Sequence, residues 1–169
     1  IAGAEKTPEN RAKLFKEAIT SYDEYLAKFK ESKSRGDALY GKASAQYQSD
    51  DLEGAEKTLR QFKKEAIKSS LETEANYLFA RVMASQARKF LVDKKSPEAQ
   101  ASAKQRIDEA QKLFEDVSKN QKSLALANNA LLSAGDIFAG AEQYYVALSY
   151  LRRIKPKELI IEQQKEIVE

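Results

Sequence analysis

Apolar residues recur at three- and four-residue spacing along nearly the whole chain, the periodicity of amphipathic helices. In the first segment, from about Pro8 or Arg11 to Lys30, the stripe is Leu14, Phe15, Ala18, Ile19, Tyr22, Tyr25, Leu26 and Phe29. Thr7-Pro8 opens it as an N-cap followed by proline, whose fixed φ and missing N–H suit a first helical turn. After a break over 32–36, the same periodicity predicts helices over about 37–48, 52–68, 71–92, 97–119, 123–139 and 142–154. Ser49-Asp50-Asp51 ends the second and caps the third, and Ser69-Ser70 precedes the fourth. Lys94-Lys95-Ser96-Pro97 turns the chain, with Ser96 as N-cap and Pro97 just inside the fifth helix. Pro156 starts a last segment rich in Ile and Glu. No stretch alternates apolar and polar residues long enough to read as a strand.

The helices repeat. Ala18, Ala55, Ala110 and Ala147 are each followed by large apolar residues four and seven positions on: Tyr22 and Tyr25, Leu59 and Phe62, Phe114 and Val117, Leu151 and Ile154. These alanines lie 37, 55 and 37 residues apart. In the alternate helices, Ala38, Ala75 and Ala130 form one column, Tyr40, Tyr77 and Leu132 another, and Ala43, Ala80 and Gly135 a third, spaced 37 and then 55. One offset shared by both helix sets implies a helix–turn–helix unit of about 34–37 residues, one copy of which carries 18 extra. The 18 fall around the turn at residues 94–97. Shared equally, they lengthen each helix of that unit by roughly 13 Å.

This pattern resembles the tetratricopeptide repeat (TPR) family, in a degenerate form. Leu131, Gly135, Phe138, Ala147, Leu151 and the nearby Pro156 carry the match best. Leu39, Ala43, Ala55 and Leu59 repeat it more loosely, with Ala43 in the glycine column and Tyr47 one residue late. The resemblance implies an all-α chain, a right-handed α-solenoid of antiparallel helix hairpins. About three complete hairpins, over about 36–68, 71–119 and 123–155, would stack with flanking helices into a single domain over 1–169, the middle hairpin elongated. A lone hairpin cannot bury its apolar face, whereas stacked neighbours can. The start at Ile1, inside half a repeat, and the end at Glu169 read as a piece of a longer protein.

Composition narrows the chemistry. Charged residues make up 33% of the chain, but 29 basic and 26 acidic side chains are interspersed and leave a net charge of +3. That is a well-solvated surface without the concentrated basic stripe of a nucleic-acid binder. Cys and His are both absent, which removes disulfides, thiolate chemistry, the commonest general base and the commonest metal ligand. No Gly-rich phosphate loop, nucleophile elbow or metal-spaced ligand cluster is present, so no catalytic residue, cofactor or metal is expected. The tight acidic pairs Asp50-Asp51 and Asp108-Glu109 read as caps or exposed positions. No apolar run is long enough to span a membrane.

In TPR proteins the first helix of each pair lines the concave face. The resemblance therefore places Tyr40, Ser44, Tyr47 and Gln48 there, joined by Tyr77, Arg81, Asn129, Leu132 and Asp136. The competing reading makes Tyr40 and Tyr77 packing residues between hairpins, and Ser44 and Gln48 plain solvated positions. Some family members grip a terminal carboxylate with a set of Lys, Arg and Asn on this face. Only Arg81 and Asn129 occupy such columns, so that set is incomplete. Phe90, Leu91 and Val92, facing Ala99, Ala101 and Ala103 at the elongated tip, offer an extra contact surface or, the reading favoured, self-packing, and Arg152, Arg153, Lys155 and Lys157 read as dipole-complementing charges at a helix end.

The function implied is a non-catalytic scaffold that binds a protein or peptide partner on the concave face, with no small-molecule substrate. Self-association through open solenoid ends is a further expectation. The chain is also similar to Lys/Gln-rich periplasmic TPR chains. With the non-Met start and absent Cys, this raises a bacterial-envelope assembly or lipoprotein-like scaffold as a second reading, and a periplasmic or extracytoplasmic site is favoured over the cytoplasm. A third reading, binding of nucleic acid or an anionic surface through Lys and Arg, predicts affinity that falls steeply with salt.

Overall fold

A computed structural model describes residues 8–65, 69–91, 96–120 and 122–155. These residues form seven α-helices and no strand: α1 (Pro8–Lys28), α2 (Arg35–Gln48), α3 (Leu52–Glu65), α4 (Glu72–Leu91), α5 (Pro97–Ser118), α6 (Leu124–Gly140) and α7 (Tyr144–Leu151). The chain divides into two compact units, residues 1–82 and 83–169, with the boundary inside α4. The predicted helical ends at 66–68 and 92, residues 94 and 95 of the predicted turn, and the segment from Pro156 lie outside the described residues.

The expected start signals operate. Ser96 Oγ accepts the Ala99 N–H at 3.2 Å with Pro97 in the first turn of α5, and Ser123 Oγ accepts the Leu126 N–H at 3.3 Å. Asp51 Oδ1 accepts the Gly54 N–H at 2.9 Å, capping α3. Helix α2 begins at Arg35, before the predicted 37, because Gly36 is the first turn of the helix and not part of the break. The two long helices fall where the extra 18 residues were placed: α4 has 20 residues and α5 has 22, against 14 each for α2 and α3.

In the first unit α2 packs against both α1 and α3. Ala43 and Ala55, both fully buried, are small enough to let the backbones approach, and Leu39, Leu59, Phe62 and Phe79 are also buried in this unit. A Cβ on Gly41 would collide with the Tyr22 hydroxyl, so α1 packs close to α2 where α2 carries no side chain. Arg35 ties three helices: its guanidinium donates to the Leu26 carbonyl on α1 at 2.8 Å and to Glu65 at the end of α3 at 2.5 Å. The apolar stripe of α1 is only partly used. Leu26 is buried, but Leu14 is 51% exposed, and Phe29, just beyond the helix, is 44% exposed.

In the second unit α6 packs against α5 and α7. Gly135 receives Leu151: an added Cβ would meet Leu151 Cδ2 at 2.5 Å and Cγ at 2.7 Å. Buried Asn128 grips the main chain beyond α7, donating to the Lys155 carbonyl and accepting the Lys155 N–H, both at 3.2 Å. That clamp, with tight bonds from the Arg153 and Ile154 N–H groups to Tyr150 and Leu151, ends α7 at Leu151, short of the predicted 154.

Each unit contains a turn of the same kind. After α2, the Asp51 N–H reaches back to the Gln46 carbonyl at 2.9 Å and the Asp50 N–H to Tyr47 at 3.1 Å, with Asp50 at φ 64°. After α6, the Gln143 N–H reaches Phe138 at 2.8 Å and the Glu142 N–H reaches Ala139 at 3.0 Å, with Glu142 at φ 60°. Both are Schellman endings with a left-handed residue just past the helix, the place glycine usually takes. They fall 92 residues apart, the sum of the two offsets read from the sequence. Glutamate is costly in this conformation, so Glu142→Gly should stabilise the protein by about 1 kcal/mol, reduced by glycine's greater freedom when unfolded. Urea denaturation showing no gain would count against backbone strain at 142.

The same offset exposes a substitution in the core. In the first unit, Gln46 Oε1 accepts the Thr58 hydroxyl at 2.7 Å, and its amide donates to Asp51 at 3.1 Å. In the second unit the equivalent positions hold Phe138 and Tyr150, whose rings stack with centroids 5.6 Å apart and planes 6° from parallel. One backbone arrangement is thus filled once by a satisfied polar pair and once by an aromatic pair.

Candidate functional site

The expected face residues fall into two groups, one in each unit. In the first unit, Tyr40 and Ser44 are one turn apart on α2 with Tyr47 and Gln48 a turn further on, and Tyr77 and Arg81 are one turn apart on α4. The structure brings three of the others, Tyr40, Tyr47 and Tyr77, near Arg81. Its guanidinium carbon sits 4.9 Å from the Tyr47 ring centroid and 5.7 Å from that of Tyr77. Such stacking orients the planar cation and leaves its N–H edge for other groups.

Tyr40 adjoins the same cluster. Burial pushes its phenol above the ordinary value, the Glu74 carboxylate adds to the rise, and Arg81 opposes it. Tyr40, Tyr47 and Tyr77 are half-buried, and Arg81 is exposed. The rings are therefore neither closed core nor free surface. Each is partly covered and partly faces solvent, as in side chains that present large area at low entropy cost. Ser44 and Gln48 bond to each other at 3.4 Å on the rim. Sequence reasoning missed Glu74. Its place one turn before Tyr77 and Leu78 on α4 is visible, but its field on Tyr40 depends on how α4 meets α2.

In the second unit, Asn129, Leu132 and Asp136 share a stripe of α6. Asn129 and Leu132 are half-buried, and Asp136 is exposed. Asp136 accepts a hydrogen bond from Arg88 in an ion pair, a partner that the sequence reading did not include. Residues 88 and 136 are 48 apart, so no local signal links them.

The other chemical candidates resolve as structural groups. Asp51 is a cap and Asp50 a turn residue. Among the described residues no cluster of three or more carboxylates could hold a metal ion. No helix among them is long and apolar enough to cross a membrane. Of the basic cluster near the end, Arg153 is already engaged: it donates to both Glu115 oxygens at 2.8 and 3.1 Å and to Ser118 Oγ at 2.9 Å. Lys157 lies outside the described residues, as do Val92 and the Leu91 side chain, while Phe90 is 38% exposed.

These ion pairs carry a pH signature. Arg153 holds the Glu115 carboxyl below its usual range, and Arg35 does the same for Glu65. A depressed carboxylate contributes stability above its unfolded value of about 4.3 and loses it as pH falls through the lower folded value. Stability should therefore decline below about pH 4.3, each partly exposed pair accounting for at most ~1 kcal/mol. Glu115→Gln should flatten its share of that slope in urea denaturation at pH 5 and pH 2.5. An unchanged slope would remove Glu115 from the account.

With this geometry in hand, comparison with protein-family models, curated proteins and solved structures finds no match to the chain.

Proposed function

We propose that the chain is a non-catalytic protein-interaction module, a TPR-like array of helix hairpins whose binding face includes the tyrosine–arginine cluster of the first unit. The observation that carries this reading is the half-buried ring pair of Tyr47 and Tyr77 holding the exposed Arg81 guanidinium. Aromatic and arginine side chains dominate binding energy at protein interfaces, because they join apolar area to directional hydrogen bonding. The array reading is supported by the paired turns 92 residues apart, by the small residues where α2 meets α3 and α6 meets α7, and by the longer α4 and α5. On this reading Tyr40 flanks the bound segment, and Asn129, Leu132 and Asp136 belong to the corresponding face of the second unit.

Affinity capture from a native lysate, comparing the unaltered chain with Arg81→Ala and Tyr77→Ala, tests the proposal. Loss of Arg81 should weaken a specific partner at least about tenfold, in the range of an interface hot spot. Partners that survive both changes at full yield would place the binding face elsewhere.

A further inference from the structure

Helix α7 keeps an apolar face open. Tyr144 is 62%, Tyr145 92% and Leu148 45% exposed. Tyr144 and Leu148 are one turn apart with Tyr145 beside them, while Ala147 and Tyr150 are buried. At eight residues α7 is well short of the ~12–15 at which a helix persists alone, so it depends on its neighbours. One of these is α6. Clustered exposed aromatic and aliphatic side chains mark a surface that receives another element.

The first unit shows what such a face receives. Equivalent positions lie 92 residues apart, so α3 corresponds to α7. Leu52, the counterpart of Tyr144, is 5% exposed. Six residues after α3 the chain enters α4, whose buried Phe79 lies 5.0 Å from the Arg60 guanidinium carbon and 5.1 Å from Lys63 Nζ. The counterparts of Arg60 and Lys63 are Arg152 and Lys155. Both are exposed, and neither forms an ion pair or lies over a ring among the described residues. Helix α7 itself carries no charge, Glu142 lies at its opposite end, and Glu115 is engaged by Arg153.

The residues next in the chain have the pattern to fill this place. On a helix of about 3.6 residues per turn, Leu159, Ile160, Ile161, Ile167 and Val168 fall on one side, with Lys157, Gln163 and Gln164 among them. Glu158, Glu162, Lys165, Glu166 and Glu169 all fall on the other. Pro156 suits the first turn of such a helix, and Glu158 its positive end. Residues 157–169 would span about 20 Å, enough to cover the roughly 12 Å of α7. Four glutamates against two lysines give this segment a net charge of −2, opposite to that of Arg152 and Lys155.

Tethering favours it over any separate molecule. Five residues, 152–156, separate α7 from Lys157, close to the six between α3 and α4. Asn128 pins that connection at Lys155. So short a tether keeps the segment at an effective concentration on the order of millimolar and makes an antiparallel return the natural one. We infer that residues 157–169 dock as an amphipathic helix, antiparallel to α7, over Tyr144, Tyr145 and Leu148. This contact rests on the repeat offset and not on the Arg81 cluster, so either stands if the other fails.

The chain has no Cys, so engineered cysteine pairs in the full chain report the contact directly. Leu148→Cys with Ile160→Cys, and Tyr144→Cys with Gln164→Cys, should form disulfides within one chain under mild oxidation. Both should do so at least about tenfold faster than Leu148→Cys with Glu162→Cys, because a disulfide needs Cβ atoms ~3.5–4.5 Å apart and Glu162 lies on the far side. Equal rates for the three pairs, or no disulfide, would overturn the docking. Disulfide-linked dimers would overturn it too, by making a second copy the occupant. Hydrogen exchange covers the chance that a cysteine pair disturbs the fold. In the unaltered chain, amides 160–168 should exchange at least about tenfold more slowly than an unstructured chain. Tyr145→Asp with Leu148→Asp, both at exposed positions, should abolish that protection while α6 keeps its own. Protection that is absent in the unaltered chain, or that survives the double change, would also overturn the assignment.

Discussion

Phe138→Gln should destabilise the protein by about 4 kcal/mol, since removal of a buried phenylalanine costs ~3–5 kcal/mol and a stranded amide adds to it. Phe138 is 3% exposed and stacked on Tyr150. Glutamine is the natural residue at the equivalent place in the first unit, yet there it has Thr58 and Asp51 as partners. In the second unit those partner positions are Tyr150 and Gln143, so a transplanted glutamine arrives without its network. Phe138→Gln with Tyr150→Thr should cost less than the two single changes added together, because the new pair can bond within itself. Urea denaturation of the four proteins measures the cycle. A single-variant loss below about 1 kcal/mol would mean that the ring pair contributes little to the core.

Gly135→Val should cost about 3 kcal/mol, the upper range for overfilling a packed interior. The added Cβ would meet Leu151 at its branch carbon, which cannot swing aside as the tip of a long side chain could. Ala43, the equivalent residue of the first unit, is fully buried with its Cβ accommodated. Gly135→Ala should accordingly be milder, about 1 kcal/mol after alanine's helical advantage of similar size offsets part of the clash. Leu151→Ala in the valine background should recover part of the loss. If Gly135→Val unfolds at the same urea concentration as the unaltered protein, the close approach of α6 and α7 is not needed for stability.

Much of the local architecture was legible from residue order. The three- and four-residue periodicity places all seven helices, because burying one stripe is how a helix of this length becomes stable. Ser96, Ser123 and Asp51 mark helix starts because short polar side chains satisfy N–H groups that the helix leaves open. The repeat offset was legible too, and the two left-handed turn residues give it a conformational counterpart. Ends were less legible. Gly36 looks like a breaker but lies inside α2, anchored by the contacts of Arg35 to α1 and α3. The end of α7 is set by Asn128, 27 residues away from Lys155 in the chain.

The candidate site divides along the same line. That Tyr40, Ser44 and Tyr47 share a face of α2 follows from helical geometry alone. That Arg81 lies over the rings of both Tyr47 and Tyr77, that Glu74 acts on Tyr40, and that Asp136 pairs with Arg88 does not. By itself the sequence determined an all-helical chain with caps, turns and a repeating pattern of small and large residues, since those are encoded within a turn or two of each position. Only the tertiary structure decided which faces stay open, which charges find partners, and whether equivalent core positions become a hydrogen-bonded pair or a ring stack. Those outcomes depend on distances between helices, where a shift of an ångström separates contact from clash.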